Sequence, residues 1–418
     1  TLPKRLVKEL QSKIQGDVCE QVEVRKKFRR DTSIFEKMPS LVVYPKHARD
    51  VVALIHFIRS KRESGMELTL TARSAGTDMT GGPLTSSVLM VTTKYMNHLR
   101  IDGDRAQVEP GMYYRDFEKE TKKRGLLLPS YPASKNICAL GGMVNNNSGG
   151  ELTLRYGKTE KYVEEMDVVF SDGSRALLKE LTESELEDKK RLDTLEGKIY
   201  RDMHALIEAN LDTIQKARPT VSKNSSGYAL WSVYDQAKKT FNLAKLFVGA
   251  QGTLGIMTSA TIKLVKPKEH HAMLVVFLND LKLLPDIVKR IRAFNPESFE
   301  SYDDHTMKLA IRLLPGMLMS LGFGRFLRLG FSFIPELMLV LKGGVPKLIL
   351  MAEFAESDAT EALKHARNAR EALKDLPVET EIAKNERSAE KFWIIRRESF
   401  NLLRKNLQGY YASPFIDD

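Results

Sequence analysis

Hydrophobic and polar positions follow two rules along this chain, and the switches between them mark its elements. Leu41, Val42 and Val43 form a short apolar run closed by Pro45, which predicts a strand within 39–45. From His47 to Ser60 the apolar positions Val51, Val52, Leu54, Ile55 and Ile58 recur at helical spacing. Leu68 to Ala72 alternates as a strand, and Val88 to Thr92 supplies another. A strand, helix, strand succession favours parallel pairing. Leu99 to Gly111 reads as a hairpin turning at Asp102-Gly103. Tyr113 to Arg124 reads as a helix stopped by Gly125, and Tyr162 to Lys179 as two strands joined at Asp172-Gly173. Residues 3–30 predict one or two amphipathic helices, and 181–217 a charged helical insertion. Leu246 to Ala250 predicts a buried strand entering a glycine loop, followed by a strand over Ser259 to Val265.

Beyond Pro267 the pattern changes. Met273 to Leu278 is a core strand with a helix over 280–294, and 348–354 is a second strand with a helix over 357–375. Two such repeats suggest an antiparallel sheet backed by helices, so the fold class is α+β. The predicted organisation is an N-terminal helical segment at 1–38, a first domain at 39–268 and a second at 269–418. The chain starts at Thr1 and stops directly after an aromatic-rich segment, so both ends read as cut and the second domain as incomplete.

One stretch follows neither rule. In 129–157 the pairs Gly141-Gly142 and Gly149-Gly150 bracket three consecutive asparagines. Glycine permits close backbone approach, and asparagine offers an amide donor and acceptor. The stretch is either backbone shaped for a large polar ligand or a surface turn region. Two further glycine loops, 73–82 and 249–255, also adjoin predicted strands. A pyrophosphate needs converging backbone N–H donors, which such loops can supply. The G-x-G-x-x-G dinucleotide fingerprint is absent from its strand–loop–helix setting.

Composition narrows the classes. With 42% hydrophobic and 28% charged residues in 418, the chain is globular and long enough for two or three domains. Two cysteines, Cys19 and Cys138, exclude a disulfide scaffold or a cysteine-ligated cluster held within the chain, and suit a reducing compartment. A net charge of +11 points to an anionic partner: a small molecule, a membrane surface or, least, nucleic acid, for which no binding motif accompanies the charge. The run Arg25 to Arg30 reads as a solvated helix face or a binding patch. Residues 306–347 mix Leu, Met and Phe with Lys and Arg, which fits either a core with a basic rim or a surface lying on a membrane. No apolar run is long enough to span a bilayer.

Four motifs in order carry a resemblance: Arg73-Ser-Ala-Gly-Thr-Asp-Met79, Glu109-Pro-Gly111, Gly141 to Gly149 with Arg155-Tyr-Gly157, and Gln251-Gly-Thr-Leu-Gly-Ile256. With them the chain resembles the flavin-binding oxidoreductases of the vanillyl-alcohol oxidase and p-cresol methylhydroxylase (PCMH) group. Within it, the chain looks most like the D-lactate, glycolate and D-2-hydroxyglutarate dehydrogenase branch. The resemblance implies a PCMH-type domain of two α+β subdomains binding FAD, then a cap domain. Arg73, Ser74, Ala75, Gly76, Thr77, Asp78 and Met79 would surround the pyrophosphate, with Pro110 and Gly111 beside them. Pro132, Ser134, Gly141, Gly142, Asn145, Asn146, Ser148, Gly149, Tyr156 and Gly157 would line the flavin and its ribityl chain. Gly252, Gly255 and Ile256 would sit by the adenosine half, where Gln251 replaces the Glu common in the family. No residue from Arg73 to Gly82 is His or Cys, so FAD is expected to be noncovalent.

Phe392-Trp-Ile-Ile-Arg396-Arg397-Glu398 resembles the family segment in which an arginine grips the substrate carboxylate, and Arg396 aligns with it. A planar guanidinium suits a planar carboxylate. Read without the resemblance, the segment is a helix with an exposed arginine pair. Phe400 stands where hydroxyglutarate-oxidising relatives have Thr, and no lysine adjoins Asp417, which favours a short 2-hydroxy acid over a dicarboxylate. The eight histidines include no pair at metal-ligand spacing, so neither a metal site nor a catalytic base is assigned. The expectation is a dehydrogenase of a D-lactate- or glycolate-like acid that passes electrons to a quinone or other acceptor. Its expected place is the cytoplasm, with peripheral contact to the inner face of the membrane. A flavin-binding subunit without its own turnover stands as the alternative. A third reading is a basic membrane- or nucleic-acid-binding protein whose glycine loops are only turns.

Overall fold

The computed structural model describes residues 2–221, 224, 226–309, 312, 344–385 and 388–396. Arg397, Glu398, Phe400, Asp417 and, of the basic-apolar stretch 306–347, residues 310, 311 and 313–343 lie outside these. The chain forms two compact units. One takes in residues up to Gly150 together with Gly157–Lys266, and the other Glu151–Tyr156 with the residues from Pro267 on.

The first unit holds two main sheets. Strands β1 (Asp17–Cys19), β2 (Leu41–Tyr44), β3 (Leu70–Arg73) and β4 (Val88–Val91) make the first, in the order β1-β2-β4-β3. As the strand, helix, strand pattern predicts, β2 and β3 both run parallel to β4. The helix Ala48–Glu63 covers this sheet and buries Val51, Leu54, Ile55, Phe57 and Ile58 against Leu41, Val43, Val88 and Met90. Each such side chain removed from water contributes about 1.5–3 kcal/mol. The helix is fixed at its start by Asp50, a buried carboxylate that accepts backbone N–H groups from Gln15, Gly16 and Lys46, each at 2.9 Å.

Residues 3–30, expected to hold one or two helices, form two, Lys4–Gln11 and Val22–Lys27, with the unexpected β1 between them. The antiparallel pairing of β1 with β2 ties this segment into the first sheet, so 1–38 is part of the first unit and not an appendage. Alternation over only three residues, Asp17 to Cys19, is too short to signal a strand.

The second sheet is antiparallel. It comprises β5 (Leu99–Asp102), β6 (Arg105–Val108), β7 (Val163–Val169), β8 (Arg175–Leu178) and β11 (Ile256–Lys263), ordered β5-β6-β11-β7-β8. The hairpin between β5 and β6 turns where Asp102-Gly103 predicted. The insertion after β8 is three helices, Glu183–Lys190, Leu195–Ala209 and Leu211–Lys216, followed by the two-residue strands β9 (Tyr234–Asp235) and β10 (Thr240–Phe241).

The strand predicted over Leu246 to Ala250 is not there. Ala244–Phe247 is one helical turn, with the Asn242 side chain accepting the Ala244 N–H at 2.9 Å and the Lys245 ammonium donating to the carbonyls of Glu160 and Val163. A short apolar run ending at a glycine fits a buried helical turn as well as a strand, and the polar side chains decide it here.

The second unit is a four-stranded antiparallel sheet in the order β13-β14-β12-β15, made of β12 (His270–Leu278), β13 (Ser298–Asp303), β14 (Leu348–Glu356) and β15 (Glu379–Ala383). The helices Leu284–Arg292 and Ala359–Glu371 close one face over Leu274, Val276, Leu350 and Ala352. The other face carries Met273, Val275, Phe277, Ile349 and Met351, which pack against Ala389, Phe392, Trp393 and Ile395.

Candidate cofactor and substrate site

Pro110 joins two of the glycine loops in the first unit. Its carbonyl accepts the Ser74 hydroxyl at 2.7 Å and the Gly141 N–H at 2.9 Å. Asn145 joins the third. Its side chain donates to the Gly141 carbonyl at 2.8 Å and accepts the Gly252 N–H at 3.1 Å, while its backbone carbonyl accepts the Gln251 N–H at 2.9 Å. Three segments far apart in sequence are thereby stitched into one patch by hydrogen bonds between loop atoms.

Residues 140–145, which read as neither helix nor strand, are in fact a short helix, Leu140–Asn145. Leu140, Met143 and Val144 are buried and anchor it, so the glycines fall on the faces that something else must approach. At Gly141 that something is the protein: a Cβ would lie 2.6 Å from Pro110 Cβ and 2.7 Å from its carbonyl oxygen. At Gly142 it is not, for the nearest atom to a Cβ would be Ser74 Cβ at 3.9 Å. Glycine at 141 is required by packing; glycine at 142 faces room.

The loop after β3 is held from beneath by Arg73. Its side chain is buried, and the guanidinium donates to the carbonyls of Arg30 (2.8 Å) and Phe28 (3.2 Å) and lies over the Phe28 ring. Gly76 crosses it with φ +72°, where a Cβ would fall 2.2 Å from the guanidinium. Burial, only partly opposed by Asp31 and Tyr113, pushes the Arg73 pKa below its ordinary value. Its Nε has no hydrogen-bond partner among the described residues. A buried cation held mainly by carbonyls favours an anion nearby. The outer side of the loop is tied down by Thr32, whose hydroxyl donates to the carbonyls of Thr77 (2.9 Å) and Asp78 (2.6 Å). This use of the N-terminal segment was not visible in the sequence.

Ala75 and Met79 lie in the same loop, and Gly111 follows Pro110 with its N–H on the Met96 carbonyl at 2.7 Å. Pro132 comes close to Gly150, whose Cβ would fall 2.2 Å from the Tyr131 carbonyl and 3.2 Å from Pro132 Cα, while the Ser134 carbonyl accepts the N–H groups of Ile137 and Cys138. The N–H groups of Asn146 and Ser148 return to Gly142 and Met143, and the Ser148 carbonyl receives the Thr159 N–H and hydroxyl. Gly149 adjoins Gly150, which with Gly157 borders the segment Glu151–Tyr156 assigned to the second unit. Gln251 adopts a left-handed backbone (φ 52°), Gly255 packs on Phe247, and Ile256 opens β11 opposite Val169.

Tyr156 belongs to the second unit, where its hydroxyl donates to Glu297 Oε1 at 2.8 Å. Burial raises the Glu297 pKa, opposed by Tyr156 and His271. Arg396 also belongs to the second unit and already holds a carboxylate: its Nε and Nη2 lie 3.0 and 2.9 Å from Glu300 Oε2.

Sequence reasoning missed one cluster in this unit. His271 Nδ1 stands 3.6 Å from a Glu297 oxygen and 3.5 Å from a Glu353 oxygen. A search for histidine pairs does not find a site built from one histidine and two glutamates on different strands. Alternation within β12, which puts His271 on the same face as Met273, was the signal available.

The fold and the stitched glycine loops together define a flavoprotein oxidoreductase of PCMH type. Residues 39–177 match the FAD binding domain family, and 267–418 match the family described as FAD linked oxidases, C-terminal domain. Each match covers about a third of the chain, which thus carries both domains, with FAD as its cofactor. Among its relatives is a D-2-hydroxyglutarate dehydrogenase of Pseudomonas putida, 26% identical over 306 residues that make up 72% of this chain and 30% of that protein. The glycolate oxidase subunit GlcD of Bacillus subtilis is 28% identical over 253 residues, 59% of this chain and 42% of the relative. The chain thus spans less than half the length of these relatives. Alkyldihydroxyacetonephosphate synthase shares the fold, with a TM-score of 0.67 and 14% identity over 97% of this chain and 65% of that structure. Among the described residues no helix is long and apolar enough to cross a membrane.

The residues present fit FAD. The room at Gly142 admits a flat ring that a methyl group would block, and the loop over buried Arg73 suits a diphosphate. No His or Cys lies between Arg73 and Gly82 to form a covalent link.

Proposed function

We propose that this chain serves, within its protein, as a dehydrogenase of a short D-2-hydroxy acid such as D-lactate or glycolate, with FAD bound noncovalently. FAD, when bound, supplies a hydride acceptor. The observation that carries the substrate reading is Arg396, which offers two nitrogens to one carboxylate oxygen from the helical segment whose Phe392 and Trp393 pack on the sheet face of Phe277 and Met351. A substrate carboxylate would take over these contacts from Glu300. A guanidinium holding two points of a carboxylate fixes the adjoining α carbon, which is what an oriented transfer requires. The names of the relatives support a 2-hydroxy acid. The preference for a short one rests on Phe400, which leaves no hydroxyl for a distal carboxylate. No base is assigned among the described residues. A quinone or similar acceptor at a membrane surface suits the basic charge of the chain.

Anaerobic mixing of the full-length flavoprotein with D-lactate, glycolate and D-2-hydroxyglutarate tests the reading through loss of flavin absorbance. Bleaching by either short acid at least tenfold faster than by D-2-hydroxyglutarate is expected. Preference for the dicarboxylate would overturn the substrate reading. A flavin that none of the three acids reduces would replace it with a flavin-binding subunit lacking its own turnover.

A further inference from the structure

We propose that His271, Glu297 and Glu353 form a binding site for one divalent cation of the zinc class, held inside the second unit. The three ligand atoms lie within 4.8 Å of one another, and both glutamates are buried. The site spans the sheet. His271 comes from β12, Glu353 from the neighbouring β14, and Glu297 immediately precedes β13, with its N–H on the Glu353 carbonyl at 2.7 Å.

Three features mark this as a built site. The first is spacing. His271 Nδ1 is 3.6 and 3.5 Å from the two carboxylate oxygens, long for hydrogen bonds. Ligand bonds of about 2.0–2.2 Å at a tetrahedral angle place donor atoms roughly 3.3–3.6 Å apart.

The second is the tautomer. His271 Nε2 lies 3.1 Å from the Lys268 carbonyl, which can only accept, so this nitrogen carries the proton. In the neutral ring Nδ1 then turns its lone pair toward the carboxylates. A metal-binding imidazole characteristically has its second nitrogen fixed in this way.

The third is how the carboxylates are oriented. Tyr156 donates to Glu297 Oε1, leaving Oε2 toward the histidine. The Ser298 hydroxyl lies 3.4 Å from Glu353 Oε2, leaving Oε1 toward it. Every ligand is held from behind by a different residue. One imidazole and two carboxylates suit Zn²⁺ among the divalent ions, with the remaining position open to water. The other His/Asp cluster, Asp303, Asp304 and His305, lacks this support: His305 is exposed, and Asp304 is already paired with Lys308.

The test uses the whole FAD-loaded protein after chelator dialysis. Zn²⁺ is titrated against a chromophoric chelator, and Co²⁺ is followed by its visible absorption. The expected result is one Zn²⁺ per chain bound at sub-micromolar concentration, with Co²⁺ bands of tetrahedral intensity. His271→Gln and Glu353→Gln should each weaken Zn²⁺ at least 100-fold. Tyr156→Phe should weaken it about tenfold, in the range seen for residues that orient a ligand. Asp304→Asn should leave it unchanged. Should the buried variants fail to fold, the Co²⁺ spectrum of the unaltered protein and the Tyr156→Phe titration still decide. Absence of Zn²⁺ binding, weak octahedral Co²⁺ bands, or affinity unmoved by these substitutions would overturn the proposal and leave a proton shared between His271 and the two carboxylates.

Discussion

The side-chain carbonyl of Asn145 accepts the backbone N–H of Gly252, 107 residues further along the chain, at 3.1 Å. The same amide donates to Gly141, so a single side chain sets the distance between two of the loops assigned to the cofactor. Asn145→Ala removes both bonds. At about 1 kcal/mol for each hydrogen bond, FAD affinity is expected to fall by up to roughly 30-fold. Fluorescence of released flavin on dilution checks this, and unchanged retention would show that the loops hold their spacing without Asn145.

Neighbouring glycines should respond in opposite ways to the same change. Gly141→Ala drives a methyl group into Pro110 and is expected to cost about 1–3 kcal/mol or more, read as a lower melting temperature even without FAD. Gly142→Ala meets no protein atom closer than 3.9 Å, and alanine is the better helix former by up to about 1 kcal/mol. The FAD-free Gly142→Ala protein should melt at or above the unaltered one and yet bind FAD poorly. Full FAD binding by this variant would remove the flavin from this face.

Arg396→Lys keeps the charge and loses the fork. Hydrogen bonds to charged groups are worth about 1.5–3 kcal/mol, so kcat/KM for the best 2-hydroxy acid is expected to fall roughly 10–100-fold. Glu300→Gln should act in the other direction on KM, because it removes the carboxylate that competes for Arg396. Steady-state kinetics on both variants test the pair. A Glu300→Gln enzyme with raised KM would make Glu300 a support for Arg396.

Acid should loosen the insertion at a defined place. Hydrogen bonds from the Thr182 backbone and hydroxyl, with Lys179, lower the Glu185 pKa to about 2. A carboxylate depressed in the folded state stabilises it above its unfolded pKa near 4.5, and that contribution is lost as pH falls toward 2. Glu185→Gln lacks the charge at every pH. The two proteins should therefore differ most in protection of the helix Glu183–Lys190 above pH 5, and the difference should shrink as pH approaches 2. Hydrogen exchange at several pH values measures it.

Much of this fold was legible because its core strands are long enough for periodicity to register: β12 and the helix Ala48–Glu63 are examples. The brief elements were not. β1 has only three residues, and the turn Ala244–Phe247 has the apolar density of a strand. The motifs named loop residues that Pro110 and Asn145 do bring together. They could not reveal the partners that position the set, such as Thr32 and Phe28, because a carbonyl contact leaves no signature in residue type. Tyr156 illustrates the limit, for its motif suggests the cofactor while its hydroxyl meets Glu297.

The six residues Glu151–Tyr156 leave the first unit and return to it between two glycine positions. Within the second unit Arg155 donates to the Ala355 carbonyl at 2.8 Å, and Leu152 and Thr153 are buried. The boundary near Lys266 is therefore not a clean seam for dissection. A protein cut there would separate the hexapeptide from the unit to which it belongs, and the detached second unit would lose the Arg155 bond to Ala355 and the Tyr156 bond to Glu297. Domain swaps among these flavoproteins need to carry the hexapeptide with the second unit, which means exchanging two segments instead of one.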